Sequence, residues 1–201
     1  MKHIFQKGTD SQKPVLLLLH GTGGDEQDLL PLSQLISPGS SVLSVRGNVS
    51  ENGMPRFFRR LREGVFDEED LIFRTKELAE FLDQSAEQYG FDRNNIVAVG
   101  YSNGANIAAS LLFHFEHALK GAVLHHPMVP RRGIDLPNLA NTPIFIGAGE
   151  HDPICRPEET EELTNLLKGA DADVHLHWEP GGHQLTQTEV NEASAWFKKN
   201  F

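Results

Sequence analysis

The chain has 201 residues, 39% of them hydrophobic, with a formal net charge of −10 and a single cysteine. That length suits one well-buried core, so a single domain over residues 1–201 is expected. The negative charge would repel a nucleic-acid backbone or an anionic membrane surface, and neither is an expected partner.

In chain order, MKHIFQKGTD lacks the apolar core of a signal peptide. With one cysteine, Cys155, and so no internal disulfide, the expected location is the cytoplasm. HIFQ reads as a short first strand turning back through KGTDSQKP. Val15–Leu19 (VLLLL) is continuously apolar, far too short to span a bilayer but suited to a strand covered on both faces. Similar strands are predicted at Val42–Arg46, Ile96–Tyr101, Gly121–His125 and Pro143–Ala148.

Helical patterns lie between these strands. From Glu69 to Tyr89, residues Leu71, Leu78, Leu82 and Tyr89 fall near one face, and Gly90 supplies the stop. RPEETEEL opens another helix, with Pro157 at the first position, glutamates at the positive end and Lys168-Gly169 closing it. The last strand, DVHLHWE, alternates: Val174, Leu176 and Trp178 oppose His175 and His177, so it belongs near an edge with one wet face. The alternation of strand and helix predicts an α/β fold with a mostly parallel sheet of about seven strands. Ligands of such sheets bind beyond the carboxyl ends of the strands. The segments found there are HGTGGDEQD, RGNVSENGMPRFFRR, GYSNGA, GEHDPICRP and PGGHQLTQ.

GYSNG fits the G-x-S-x-G nucleophile elbow, with a strand before it and a helix after. Such a corner strains the backbone and brings chain segments so close that Gly100 and Gly104 can carry no side chain. It lifts the Ser102 hydroxyl clear of the sheet. A serine needs an adjacent base. His183, on the turn after the last strand, is the candidate, while His3, His114, His117, His175 and His177 read as surface or satisfied residues. The base in turn needs an acceptor to fix its tautomer. Asp152, beyond the Pro143–Ala148 strand and held by Pro153, is preferred to Glu150 and Glu179 for its short side chain and for the order Ser…Asp…His.

The oxyanion formed on attack needs donors. The backbone N–H of Asn103 should be one, and that of Thr22, or alternatively Gly23, the other. A phosphate-binding reading of HGTGGDEQD fails because Glu26 occupies the last glycine position, acidic residues would repel pyrophosphate, and no Gly-Lys-Ser/Thr follows. No cofactor is expected. No metal is expected either, since His125 and His126 lack a second ligand cluster at metal spacing and read as structural or pocket-rim residues.

With these residues in place, the chain resembles the α/β-hydrolases, and more narrowly the small bacterial carboxylesterases of the phospholipase/carboxylesterase group, relatives of acyl-protein thioesterases. LLLLHGTGGDEQDLLPL, RGNVSENGMPRFFRR, EGVFDEEDL, GYSNGANIAASLL, HPMVP and PGGHQLTQ carry the resemblance over nearly the whole length. It implies a minimal hydrolase core without a large lid. It also implies hydrolysis of small esters or thioesters through an acyl-enzyme on Ser102, with Asp152 and His183 as partners. Homodimers are common in the group. Cys155 departs from the pattern, where relatives tend to carry a small or aliphatic residue; a reactive thiol and a small buried hydrophobe are its two readings.

Met54, Phe57, Phe58 and Met128 are candidate pocket walls. Arg56, Arg59, Arg60 and Arg62 either draw an acidic substrate to the mouth or pair with Asp67, Glu68, Glu69 and Asp70. Against the enzyme stands a second class, a non-catalytic hydrolase-like sensor of small aromatic or acidic ligands. A pure binder has no need of a strained serine, which favours the enzyme.

Overall fold

In the computed structural model, which describes residues 1–201, the continuous apolar runs are strands buried almost from end to end. The elements follow as β1 (His3–Gln6), β2 (Val15–Leu19), α1 (Leu30–Ile36), β3 (Val42–Val45), β4 (Val49–Glu51), β5 (Met54–Arg56), β6 (Arg60–Arg62) and β7 (Val65–Phe66). Then come α2 (Glu68–Tyr89), β8 (Ile96–Tyr101), α3 (Asn103–His114), β9 (Gly121–His125), β10 (Pro143–Gly149), α4 (Pro157–Gly169), β11 (Asp173–Glu179) and α5 (Gln187–Asn200). Seven strands form one sheet in the order β1-β3-β2-β8-β9-β10-β11. Only β1 runs antiparallel, pairing with β3; every other neighbour pair is parallel. β11 is an edge strand, as its alternation predicts, and His175 on it is exposed.

Alternate residues of β2 serve opposite faces of the sheet. Leu17 and Leu19 join the core beneath α2, α3 and α4, while Leu16 and Leu18 join the core under α1 and α5. Each such leucine, with no exposed surface, contributes about 2 kcal/mol by leaving water. The long helix α2 begins one residue before the expected start, because Asp67 caps it by accepting the Asp70 N–H.

Three short features escape the sequence pattern. LPLSQLI forms α1 with no side-chain cap and only seven residues, held by packing on α5 rather than by local signals. Residues 49–66 fold into two small hairpins, β4–β5 and β6–β7, whose strands of two or three residues are too brief to show alternation.

The register brings the strand ends together. Leu19 pairs with Gly100, Tyr101 with His125, and Gly147 with His125. The residues following β2, β8, β9, β10 and β11 therefore emerge side by side at one end of the sheet.

Candidate active site

The bend after β8 is as tight as the glycines require. Ser102 has φ 51° and ψ −113°, an uncommon backbone state for a residue with a side chain, and α3 begins at the next residue. A Cβ on Gly104 would collide with the Leu19 carbonyl, and one on Gly100 would lie 2.7 Å from the Ala105 backbone. The Ser102 N–H donates to the His125 carbonyl at 2.9 Å, tying the corner to β9.

His183 reaches this corner from the loop after β11. Its Nε2 lies 2.9 Å from Ser102 Oγ, and its Nδ1 lies 2.7 Å from Asp152 Oδ2. The two loops that carry Asp152 and His183 are stitched together by the Glu150 N–H to the Glu179 carbonyl (2.8 Å) and the His151 N–H to the Gly181 carbonyl (2.9 Å). Tyr101 adds a third tie by donating its hydroxyl to the His183 carbonyl at 2.6 Å. Of the rival carboxylates, Glu150 is exposed and Glu179 is engaged by His177 at 2.8 Å.

Asp152 is 2% exposed. Burial pushes its pKa up, but hydrogen bonds from His126, His183 and the N–H groups of Cys155 and Ile154 outweigh that and hold it below the usual carboxylate range. Oδ1 takes the Ile154 and Cys155 N–H groups at 2.8 and 2.9 Å, which leaves Oδ2 for the two imidazoles. His126, Asp152 and His183 also offer ligand atoms within 4.8 Å of one another. Both imidazole Nδ1 atoms, however, converge on one carboxylate oxygen at hydrogen-bonding distance, a pattern that serves proton-sharing rather than metal coordination.

Two backbone donors flank the serine. The Thr22 and Asn103 N–H groups have no partner in the protein, whereas Gly23 N–H donates to the Pro55 carbonyl at 2.9 Å. The alternative role for Gly23 is therefore removed, because its donor is engaged. Thr22 is steadied through its hydroxyl, which accepts from Arg56 at 2.6 Å.

Ser102, His183, Thr22 and Asn103 open onto a cavity of about 210 Å³, lined further by Arg56, Arg60, Phe66, Tyr101, Met128 and Ile154. A larger groove of about 720 Å³ between residues 134–136 and α4 holds no serine, cysteine or histidine. Of the expected pocket walls, only Met128 lines the cavity. Phe57 and Phe58 are buried in the main core instead, Phe57 against His20 and Phe58 edge-on to Phe66. Met54 packs near Gly23 and is 39% exposed. Arg56, the residue just before the two rings, lines the cavity instead.

The arginines divide their roles. Arg59 pairs with Asp67, the cap of α2, and with Asp70 in its first turn, the pairing that local charges suggest. Arg56 and Arg60 share one carboxylate, Glu51, at 3.3 and 2.8 Å, so the cavity wall keeps an excess positive charge. Cys155 also lines the cavity but is 2% exposed, and burial drives its thiol well above the ordinary range. His125 and His126 lie wholly buried rather than at a rim.

A family model for the dienelactone hydrolase family matches residues 47–196. The candidate hydrolase MhqD of Bacillus subtilis is 60% identical over 199 residues, 99% of this chain and 98% of that protein. The crystal structure of the Bacillus cereus carboxylesterase is 71% identical with a TM-score of 0.99, covering 100% of this chain and 95% of that one. The structure of YahD with malic acid is 29% identical with a TM-score of 0.95, covering 100% and 99% of the two chains.

Proposed function

The chain belongs to the dienelactone hydrolase family of the α/β-hydrolase superfamily and is a carboxylic ester hydrolase; on that premise we propose that it works as a serine hydrolase with Ser102, His183 and Asp152 as its triad. The reading rests on one observation above all: the two ring nitrogens of His183 lie 2.9 Å from Ser102 Oγ and 2.7 Å from Asp152 Oδ2. Ionised Asp152 accepts from Nδ1–H, so Nε2 presents its lone pair to the serine. As Ser102 Oγ attacks the substrate carbonyl, its proton passes to Nε2. The resulting imidazolium is stabilised by Asp152, and the oxyanion by the Thr22 and Asn103 N–H groups, with the start of α3 adding its positive end. Collapse expels the alcohol or thiol, which takes the proton from Nε2. Water, deprotonated by the same nitrogen, then frees the acyl group.

A cavity of about 210 Å³ suits small acyl or alcohol groups, for esters and thioesters alike. The excess positive charge of Arg56 and Arg60 over Glu51 favours a substrate with its own carboxylate, the chemical class of the malic acid seen with YahD. The whole of residues 1–201 is read as one catalytic domain, working in the cytoplasm. The test is labelling by an organophosphonate together with hydrolysis of short-chain aryl esters. Wild type should label at Ser102, and Ser102→Ala should lose at least about 1,000-fold in kcat. Full turnover by Ser102→Ala would overturn the mechanism.

A further inference from the structure

A buried chain of titratable groups continues behind Asp152. His126, the residue after β9, meets Asp152 Oδ2 through Nδ1 at 3.0 Å, and its Nε2 lies 3.1 Å from Glu189 Oε2. Glu189, on the first turn of α5, also takes Nδ1–H of His125 on its other oxygen. His125, His126 and Glu189 have no exposed surface. A neutral imidazole has one N–H and one lone pair, so it could donate to only one of two carboxylates and would turn its lone pair on the other. With both carboxylates ionised, as their lowered pKa values require near neutrality, both contacts of His126 are satisfied only when both ring nitrogens carry protons.

The fold makes specific room for this arrangement. A Cβ on Gly147 of β10 would collide with Glu189 Oε1, so the carboxylate reaches the histidines only because that strand position is bare. His126 itself sits at φ 53°, a left-handed state that residues with side chains seldom adopt. Its N–H donates to the Gly147 carbonyl at 2.7 Å, and its carbonyl accepts the Cys155 thiol at 3.2 Å. An uncommon backbone state fixed from both sides is characteristic of functional sites.

We propose that His126, held as an imidazolium between Asp152 and Glu189, is a positioning residue for the esterase reaction: it locks the Asp152 carboxylate in place for His183. The proposal rests on the triad reading above. Burial disfavours the charge on His126, but hydrogen bonds and attraction from Asp152 and Glu189 prevail and raise its pKa to about 9. Glu189, in turn, is brought down to about 2 despite its burial.

The groups facing His126 come from every neighbouring element. They are Asp152 after β10, Glu189 from α5, His183 after β11, Tyr101 at the end of β8 with its ring edge-on at 6.1 Å, and the Cys155 thiol on the carbonyl. His125 of β9 acts through Glu189. The His126 and His183 ring centres are 5.2 Å apart, so the two imidazoles stand side by side on the one Asp152 oxygen they share. Without the cation, Asp152 and Glu189 would be two buried negative charges with no permanent counterion.

The test combines ring-nitrogen NMR of 15N-histidine-labelled protein, recorded over a range of pH, with separate measurement of kcat and KM for wild type, His126→Gln and Glu189→Gln. In wild type, one imidazole should keep both protons at about pH 8, and that signal should vanish in His126→Gln. In Glu189→Gln the same ring should lose its second proton at least about one pH unit lower. His126→Gln should reduce kcat about tenfold or more while leaving KM within about twofold, because His126 does not line the cavity. A singly protonated His126 in wild type at about pH 7, an unaltered His126 titration in Glu189→Gln, or a folded His126→Gln with wild-type kcat would each overturn the proposal. Should His126→Gln fail to fold, the wild-type and Glu189→Gln spectra decide. A wild type that neither labels at Ser102 nor cleaves esters would refute the triad, while the NMR still reports on His126.

Discussion

The hydroxyl of Tyr101 donates to the backbone carbonyl of His183 at 2.6 Å, so the residue before the nucleophile anchors the loop that delivers its base. Tyr101→Phe removes that bond and nothing of the ring. The loss of one such bond is about 1 kcal/mol. Expected is a fall in kcat of roughly fivefold with less change in KM, read from steady-state kinetics on an aryl ester.

Gly104 offers a test of the corner itself. Because a Cβ there would collide with the Leu19 carbonyl at the end of β2, and backbone on both sides has little freedom to retreat, Gly104→Ala should destabilise the fold by about 3 kcal/mol or more. Urea unfolding measures this directly. A midpoint equal to that of wild type would contradict the packing described.

Substrate charge should be sensed by Arg60. Truncation to alanine leaves Glu51 to Arg56 alone and cancels the positive excess at the cavity wall. Arg60→Ala should raise KM about tenfold for an ester bearing a carboxylate and leave a neutral ester of equal size nearly unaffected. Equal effects on both substrates would assign Arg60 a purely structural task.

Glu26 links two parts of the sheet edge by bonding Lys2 at 3.0 Å and Arg46 after β3. Burial raises its pKa, but its own backbone N–H, Lys2 and Arg46 bring it down to about 2. A depressed carboxylate contributes stability that is present above its unfolded value, near 4.5, and is lost as pH falls toward 2. Thermal melts of Glu26→Gln should therefore be less stable than wild type at neutral pH, with the gap closing between pH 4.5 and 2.

Cys155 should be inert in the folded enzyme. Burial holds its thiol protonated, and its Sγ is bonded to the His126 carbonyl. Incubation with iodoacetamide at neutral pH should leave activity unchanged, and mass spectrometry should find modification only after denaturation. Rapid labelling of native protein would reverse this conclusion.

Local sequence was enough for the strands of the seven-stranded sheet, the long helices and the Ser102 corner. Each inner strand of the sheet is a short apolar run bounded by turn residues, and α2 and α4 carry their own stop and start signals in Gly90 and Pro157, so nearest-neighbour physics already selects the element. The parallel sheet and the location of the chemistry at its carboxyl end follow from the alternation of those elements. Tertiary structure alone decided the rest. Arg56, Phe57 and Phe58 are consecutive, and only the folded chain decides that the two rings enter the core while Arg56 lines the cavity. His126 and Glu189 are 63 residues apart and share no motif. Their pairing exists because β9 and β10 are neighbours, Gly147 leaves a gap between them and α5, and no local rule encodes a vacancy made by a strand from elsewhere in the chain.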